Sequence, residues 1–303
     1  MNPFITLLAG GAGTRFAPLS TAEKPKQFLH IIDSTQSLLR QSFERIGALV
    51  SLDHIFVSTN TKYTQLVSDQ LSEIPLSNII AEPFKKNTAP AIALITYLLY
   101  LREPESTLLF LPSDHYIHEA KKAQGLFKKA LELAAQSDSL LTFGVVPEFP
   151  SKDYGYILFE PYDDLSFSVK RFVEKPNEET AQKYIQAGSY YWNSGIFVWR
   201  ASVFLTALQK HLPQMYALLQ AHFTQAEDFD QPAKIEAFFQ QVESISIDYG
   251  LMEKADNVRM IPFDAGWSDV GTWQGLSNLK QRYGLKLPDD VAACLEKFEK
   301  GLL

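Results

Sequence analysis

The sequence predicts an α/β protein with a mostly parallel central sheet flanked by helices, and three observations predict it. Short β-rich runs alternate with helix-length amphipathic stretches. The runs are near-continuously apolar instead of apolar at every second residue. The 303 residues are enough to bury a large core. A strand apolar on both faces is covered on both, the usual state of parallel strands joined by right-handed helical crossovers. Ligands on such sheets bind beyond the carboxyl ends of the strands.

In chain order, the strand-like runs are Phe4–Ala9, Ile55–Thr59, Asn78–Ala81, Thr107–Leu111 and Leu140–Val146. Between them lie the helix-like stretches Ser37–Val50, Lys62–Leu71, Thr88–Leu101 and Glu119–Gln136. From Tyr154 the texture changes: YGYILFE, FSVKRFVEKP and YYWNSGIFVW are aromatic-rich strands around the helix-like Asn177–Ala187. That region reads as a mixed-sheet half. Helices at Ser202–His211 and Pro232–Val242 follow, then the strand VRMIPFD. The tail from Leu287 is helical, with Pro288 and two aspartates at its start. The expected division is a catalytic unit over 1–285, with halves at about 1–150 and 151–285, and a tail over 286–303.

Composition narrows the function classes. Lys and Arg number 28 against 35 Asp and Glu, a net charge of −7, which argues against general nucleic-acid or anionic-membrane binding. The single cysteine, Cys294, allows neither a disulfide framework nor a cysteine cluster for zinc. The N-terminus lacks a basic signal-peptide region, and the longest apolar run, Ala91–Leu101, has 11 residues. That is far short of the ~20 a spanning helix needs. A cytoplasmic protein is the default expectation.

The first strand runs straight into GGAGTR, Gly10 to Arg15. Glycines after a buried strand let the backbone turn and bring its N–H groups close to an anion. The dinucleotide fingerprint G-x-G-x-x-G fails, because from Gly11 its third glycine falls on Phe16, and no P-loop string exists. Both would also need a helix directly after the glycines, where Pro18 and Pro25 stand instead. The residues from Phe16 to Phe28 therefore form a long loop carrying Lys24 and Lys26.

LAGGAGTRFAPLSTAEKPKQFL resembles the signature of the sugar-1-phosphate nucleotidyltransferases, and its PKQF ending is the form typical of mannose-1-phosphate guanylyltransferases. The resemblance returns, in the family's order, at EPFKKNTAPA, LPSDH, YGYI, VEKP, WNSGIFVW, SIDYGLMEK and WSDVGTW. It covers residues 4 to about 280. Departures fall at Phe16, Ala17, Ser113 and Gly250, none of them a charged position. The resemblance implies a Rossmann-like nucleotidyltransferase fold whose second half carries the sugar phosphate.

Asp114 follows an apolar strand and Asp269 lies between two tryptophans in WSDVGTW. From the residues alone each reads equally as a turn or cap aspartate. The family pattern assigns both to a catalytic Mg²⁺, an ion that takes oxygen ligands, keeps waters and bridges phosphates. His115 is expected to orient or support, since Mg²⁺ prefers oxygen. The resemblance also gives a nucleotide set: Leu8, Gly10, Gly11, Gly13, Thr14, Arg15, Lys26, Glu82, Asn87, Thr88 and Ser113. Within it, Glu82 can accept guanine N–H groups, while Asn87 and Thr88 equally serve as ordinary helix caps. The sugar-phosphate set is Gly155, Tyr156, Glu174, Lys175 and Asn193. Arg15, Lys26, Asp114, Lys175 and Asp269 form the implied catalytic group, with GTP and mannose 1-phosphate as substrates and Mg²⁺ as cofactor. A homodimer is left open. Relatives often continue into a β-helix or isomerase domain, but no hexapeptide periodicity follows here, so no second, isomerase activity is expected.

Three rivals remain. They are another pair such as dTTP or UTP with glucose 1-phosphate, a catalytically silent nucleotide-sugar-binding subunit, and a nicotinamide-dependent dehydrogenase. The broken glycine fingerprint weakens the last.

Overall fold

The computed structural model describes residues 3–11, 13–173 and 175–303. β1 (Phe4–Leu8) leads through the glycine loop and two short 3₁₀ turns, Thr14–Phe16 and Lys26–Phe28, to α1 (Leu38–Ile46). Ser37 caps α1 by accepting from the Arg40 N–H at 3.1 Å. β2 (Ile55–Asn60), α2 (Thr64–Gln70), β3 (Ile79–Glu82), α3 (Thr88–Arg102) and β4 (Thr107–Pro112) follow. A two-residue strand, β5 (Tyr116–Ile117), precedes α4 (Ala120–Gln136) and β6 (Leu140–Val145). The second half holds β7 (Tyr156–Pro161), β8 (Phe167–Val173), α5 (Glu178–Ala187), β9 (Tyr190–Arg200), α6 (Ala201–His211), α7 (Pro213–His222) and α8 (Pro232–Gln241). It closes with β10 (Val258–Pro262), β11 (Trp267–Ser268), α9 (Trp273–Tyr283) and α10 (Asp289–Glu299).

The main sheet has nine strands in the order β3-β2-β1-β4-β9-β6-β10-β8-β7, with β5 and β11 forming a small second sheet. β3, β2, β1 and β4 are parallel, and so are β6 and β10, whereas β9 runs antiparallel to both β4 and β6. β7 pairs with β8 and also with the start of β9, so the far end of the sheet curls back on itself. The expected parallel half and mixed half are both present. The missed feature is the order, in which β9, late in the chain, enters between β4 and β6.

Alternate residues of the central strands serve two cores. Phe4, Phe56, Leu108, Phe110, Phe197 and Trp199 face α3, α6, α7 and α8. Ile5, Leu7, Ile55, Val57, Leu109, Leu111 and Val198 face α1, α2 and α4. This double burial is why the strands lack polar alternation. α3 is buried continuously from Ala89 to Leu99, which makes the longest apolar run an interior helix. Among the described residues no helix is long and apolar enough to cross a membrane. A third core joins Phe16 of the long loop, and Ile31 and Ile32 just after it, to Trp273, Leu276, Val291 and Leu295 of α9 and α10. The helical tail thus packs under the glycine-loop segment.

One buried charge stands apart. Arg45, on α1, is 5% exposed and makes no ion pair among the described residues. Burial pulls its guanidinium down to about 10. Arg45→Met keeps the volume and removes an uncompensated charge. It should raise stability by roughly 1–4 kcal/mol. A thermal melt with an unchanged or lowered midpoint would rule that out.

Candidate active site

β1 and β4 are neighbours, but the chain leaves their carboxyl ends in different directions, and the crevice between the two exits is where an open α/β sheet takes ligands. The glycine loop leaves β1 there, and Ser113-Asp114-His115 leaves β4. A cavity of about 400 Å³ opens at this point. Of the nucleotide set, Leu8, Gly10, Gly11, Glu82, Asn87, Thr88 and Ser113 line it, with Asp114 at one side.

Close packing sets the loop's course. Gly13 has φ +51°, and a Cβ there would lie 2.5 Å from the Lys26 backbone nitrogen. A Cβ on Gly10 would lie 3.0 Å from Glu82 Oε1. Gln27, wholly buried, donates through Nε2 to the carbonyls of Ala9 and Gly11, both at 2.8 Å, and so fixes both sides of the turn. Thr14 and Arg15 fall in the first 3₁₀ turn, with Arg15 exposed and making no ion pair among the described residues. The long loop is held from outside by Tyr63, whose hydroxyl donates to the Ala22 carbonyl at 2.9 Å.

Lys26 is buried and faces inward. Its Nζ lies 2.8 Å from Asp114 Oδ2 and donates to the carbonyls of Asp269 at 2.6 Å and Val270 at 3.1 Å. An ammonium has three N–H donors, and all three have protein partners. Lys26 therefore links the two turns that carry the predicted metal carboxylates. Burial pushes the Asp114 carboxyl up, but the Lys26 ammonium, aided by His115, outweighs it and holds the group below its ordinary value. His115 is pulled down, chiefly by burial. Its Nδ1 accepts from Trp267 Nε1 at 3.1 Å. That leaves its proton on Nε2, 3.8 Å from Asp114 Oδ1.

Asp269 Oδ1 accepts from the Tyr154 hydroxyl and the Gly271 amide, each at 2.9 Å. Burial, then the Asp269 charge, raises the Tyr154 phenol far above its usual range, so it remains a donor. Val270 sits at φ +44°, a left-handed conformation rare for a β-branched residue, which marks this turn as a place where the fold holds strain. Among the described residues, Asp114 Oδ1 and Asp269 Oδ2 make no hydrogen bond. Asp114 lines the cavity and Lys26 joins its turn to that of Asp269, so two hard carboxylate oxygens are on offer, the donor type that suits a Mg²⁺ completed by phosphate and water.

At the other end, Glu82 is 9% exposed and accepts from Ser58 Oγ at 2.7 Å. Burial raises its carboxyl to about 7 against the opposing pull of that hydroxyl. Asn87, at φ +66°, accepts from the Thr88 N–H at 3.1 Å, and Thr88 Oγ1 accepts from the Ile247 N–H at 2.9 Å. Both therefore cap or dock α3 while lining the cavity. The Ser113 hydroxyl donates to the Leu8 carbonyl at 3.0 Å.

On the sugar side, the Asn193 amide N–H of the backbone donates to the Gly155 carbonyl at 2.8 Å. Asn193 Nδ2 donates to Asp248 Oδ1 at 2.8 Å, and its Oδ1 accepts from the Gly195 N–H at 3.1 Å. Asp248 and Gly195 reach the cavity wall. The Tyr156 ring is in the core with its hydroxyl donating to the Ser151 carbonyl at 3.0 Å, so this residue offers the cavity side only backbone. Lys175 is exposed at φ +35°. Glu174 lies outside the described residues.

Against this geometry, a family model for nucleotidyl transferases matches residues 5–284. The chain belongs to the nucleotidyl transferase family. Among its relatives, the Salmonella montevideo protein called mannose-1-phosphate guanylyltransferase is 40% identical over 289 residues, covering 91% of this chain and 59% of the relative. The chain spans about three fifths of the length of the curated relatives it matches. A Thermus thermophilus structure described as mannose-1-phosphate geranyltransferase superposes with a TM-score of 0.83 at 30% identity, over 92% of this chain and 79% of that one. A Helicobacter pylori structure described as mannose-6-phosphate isomerase gives a TM-score of 0.71 at 31% identity, over 88% of this chain and all of that one.

Sequence reasoning passed over Gln27, Tyr154 and Asp248, although each stood inside a quoted motif. Gln27 had one usable signal, an amide beside the apolar Phe28 at the end of the loop. Lys62, read only as the start of a helix, and Lys85, inside the quoted EPFKKNTAPA, also line the cavity.

Proposed function

We propose that this chain transfers GMP from GTP to α-D-mannose 1-phosphate, giving GDP-mannose and pyrophosphate. One observation carries the reading: a single cavity runs from the glycine loop and Glu82, suited to a nucleotide, to Asp114, where the loops of the two carboxylates meet through Lys26. The name of the Salmonella relative supplies the guanine and the mannose.

In the proposed reaction a sugar-phosphate oxygen attacks the α-phosphorus of GTP. The P–O bond to the β-phosphate breaks and pyrophosphate leaves with that electron pair. The attacking phosphate is already anionic, so no protein base is called for, and catalysis is positioning plus charge neutralisation. The loop amides of Gly10 and Gly11 would face the nucleotide phosphates, with Arg15 closing over the β- and γ-groups. Lys175 would aim the incoming sugar phosphate, and Glu174 with Asn193 would take its hydroxyls. Lys26 would give up one protein partner to meet phosphate. Asp114 and Asp269 would hold Mg²⁺, which, when bound, neutralises charge on the transferring phosphate.

A pyrophosphate-release assay crossing four NTPs with several sugar 1-phosphates tests this. GTP with mannose 1-phosphate should be the fastest pair. Preference for dTTP or UTP with glucose 1-phosphate would replace the substrates, and no release with any pair would favour a binding protein. Mannose 6-phosphate alone tests the isomerase description of the H. pylori relative, and no turnover is expected.

Glu82 makes the base preference testable by pH. An ionised Glu82 would accept the guanine N–H groups, so binding should expel its proton. With a carboxyl near 7, the GTP dissociation constant should fall about tenfold from pH 6 to pH 8. The free protein should move the opposite way. A folded value above the ordinary 4.5 means stability is lost as pH rises from 4.5 to about 7. Glu82→Gln should flatten both profiles. Equal slopes in both proteins, measured by calorimetric titration, would remove Glu82 from the base site.

A further inference from the structure

Tyr154 stands at the entrance to β7, one residue before Gly155, yet its hydroxyl ends on a side chain 115 positions away, 2.9 Å from Asp269 Oδ1. The Gly271 amide donates to the same oxygen at 2.9 Å. Two donors on one oxygen fix the plane of the carboxylate and leave Oδ2 turned away from both. Glycine at 271 is part of the arrangement, since a Cβ there would lie 2.5 Å from Oδ2.

The phenol has little freedom of its own. Its ring meets Trp192 edge-to-face at 4.9 Å and Trp267 at 5.4 Å. Trp267 extends the restraint to the other carboxylate turn: its indole N–H donates to His115, and the two rings cross at 89° with centroids 5.2 Å apart. The topology explains the meeting. Trp267 and Ser268 pair with Ile117 and Tyr116, so the small β5–β11 sheet lays the Asp114 turn beside the Asp269 turn. Within this aromatic wedge Tyr154 adjoins the predicted sugar-phosphate set, since its neighbour Gly155 accepts the Asn193 backbone N–H at 2.8 Å.

We propose that Tyr154 is a positioning residue: it aims Asp269 Oδ2 at the divalent cation and ties that aim to occupancy of the sugar-phosphate half. The inference rests on the nucleotidyl-transfer reading above. Its logic is mechanical. The strand that would shift when a sugar phosphate settles on Gly155 and Asn193 carries, one residue earlier, the hydroxyl that orients the carboxylate. By linkage, the sugar phosphate should then tighten cation binding, and the cation should tighten sugar-phosphate binding equally.

The test is Tyr154→Phe, which removes one oxygen and keeps the ring packing. Mn²⁺ binding is titrated by electron paramagnetic resonance in the presence of an α,β-methylene analogue of GTP, which cannot release pyrophosphate, with and without mannose 1-phosphate. Wild type should bind Mn²⁺ more tightly when mannose 1-phosphate is present. Y154F should bind it about tenfold more weakly and lose that tightening. In turnover, half-saturating Mg²⁺ should rise about tenfold while the KM for GTP stays within twofold, a split that general loosening of the fold would not give. Trp267→Phe, which loses the donor to His115, should also weaken Mn²⁺ binding, and it serves if Y154F fails to fold. Mn²⁺ titrations of Y154F and W267F that overlay wild type would overturn the proposal. So would a wild type whose Mn²⁺ affinity ignores mannose 1-phosphate. The binding arm needs no turnover. A chain that releases no pyrophosphate with any pair would sink the functional reading, whereas an active chain with an indistinguishable Y154F would sink this inference alone.

Discussion

Lys26→Met should lower kcat for pyrophosphate release about a thousandfold, the size of effect seen when one preorganised charge is removed from a transfer site. The expectation follows from where the three N–H donors go. One meets the Asp114 carboxylate and two meet the carbonyls of Asp269 and Val270. Methionine fills the same buried slot but binds none of them. Asp114 then loses the cation that outweighs its burial, so its carboxyl should rise. The Asp269 turn loses one of its links to the first half of the chain, and Val270 loses part of what holds it at φ +44°. Arginine should not rescue the variant, because a planar fork does not fit a buried point-charge site with three converging acceptors. Lys24→Met, in the same loop but exposed, should stay within about threefold of wild type, as surface substitutions away from such features usually do. A K26M enzyme keeping a tenth of wild-type kcat would show that the lysine is replaceable and that the carboxylate turns are held by other contacts.

The same lysine shows what the sequence could and could not convey. PKQF marks Lys26 as special, and a positive residue in a loop facing phosphates is a natural expectation. Its actual partners are carbonyl oxygens 243 and 244 positions away, and no local period encodes such a contact. The placement of Asp114 beside the crevice was legible, because an apolar strand predicts a sheet and the carboxyl edge of a sheet predicts a crevice. Asp269 was legible only through the family pattern, since its strand, β11, is two residues long and its turn depends on a left-handed valine. Hydrophobic periodicity identified most of the elements but not their neighbours. β9 pairs with β4, β6 and β7 along its 11 residues and bends at Gly195, φ +68°. Its aromatic sequence signals a strand without saying where in the sheet it enters. Tyr154 was overlooked for a related reason: tyrosines beside strands are usually core, and only its hydroxyl, aimed at Asp269, separates it from Tyr156 two residues on.

Gly13→Ala should cost activity nearly as heavily as K26M, through shape alone. This position is decided by sterics. An alanine Cβ would lie 2.5 Å from the Lys26 backbone nitrogen and 2.9 Å from its Cβ, and backbone cannot swing aside as a side-chain tip can. The φ of +51° adds about 1–2 kcal/mol of left-handed strain for any L side chain. The loop can relieve both only by lifting off the Lys26–Phe28 turn, which pulls the Ala9 and Gly11 carbonyls away from Gln27 Nε2. Because the cavity wall and the lysine bridge share that turn, one methyl group disturbs the phosphate loop and the carboxylate link together. A misplacement of about 1 Å is enough to cost a hundredfold in rate. Global stability should fall by only about 1–3 kcal/mol, since the sheet and both main cores lie elsewhere. Two sibling variants separate this from a general intolerance of loop alanines. At Gly11 a Cβ meets nothing within 4 Å, so Gly11→Ala should keep its melting temperature and raise only the KM for nucleotide, because that position lines the cavity. At Gly125, inside α4 and equally open, alanine should stabilise the helix by roughly 1 kcal/mol and leave kcat alone. If G13A matched G11A in both kcat and melting temperature, the close approach of the loop to Lys26 would not be what organises the site.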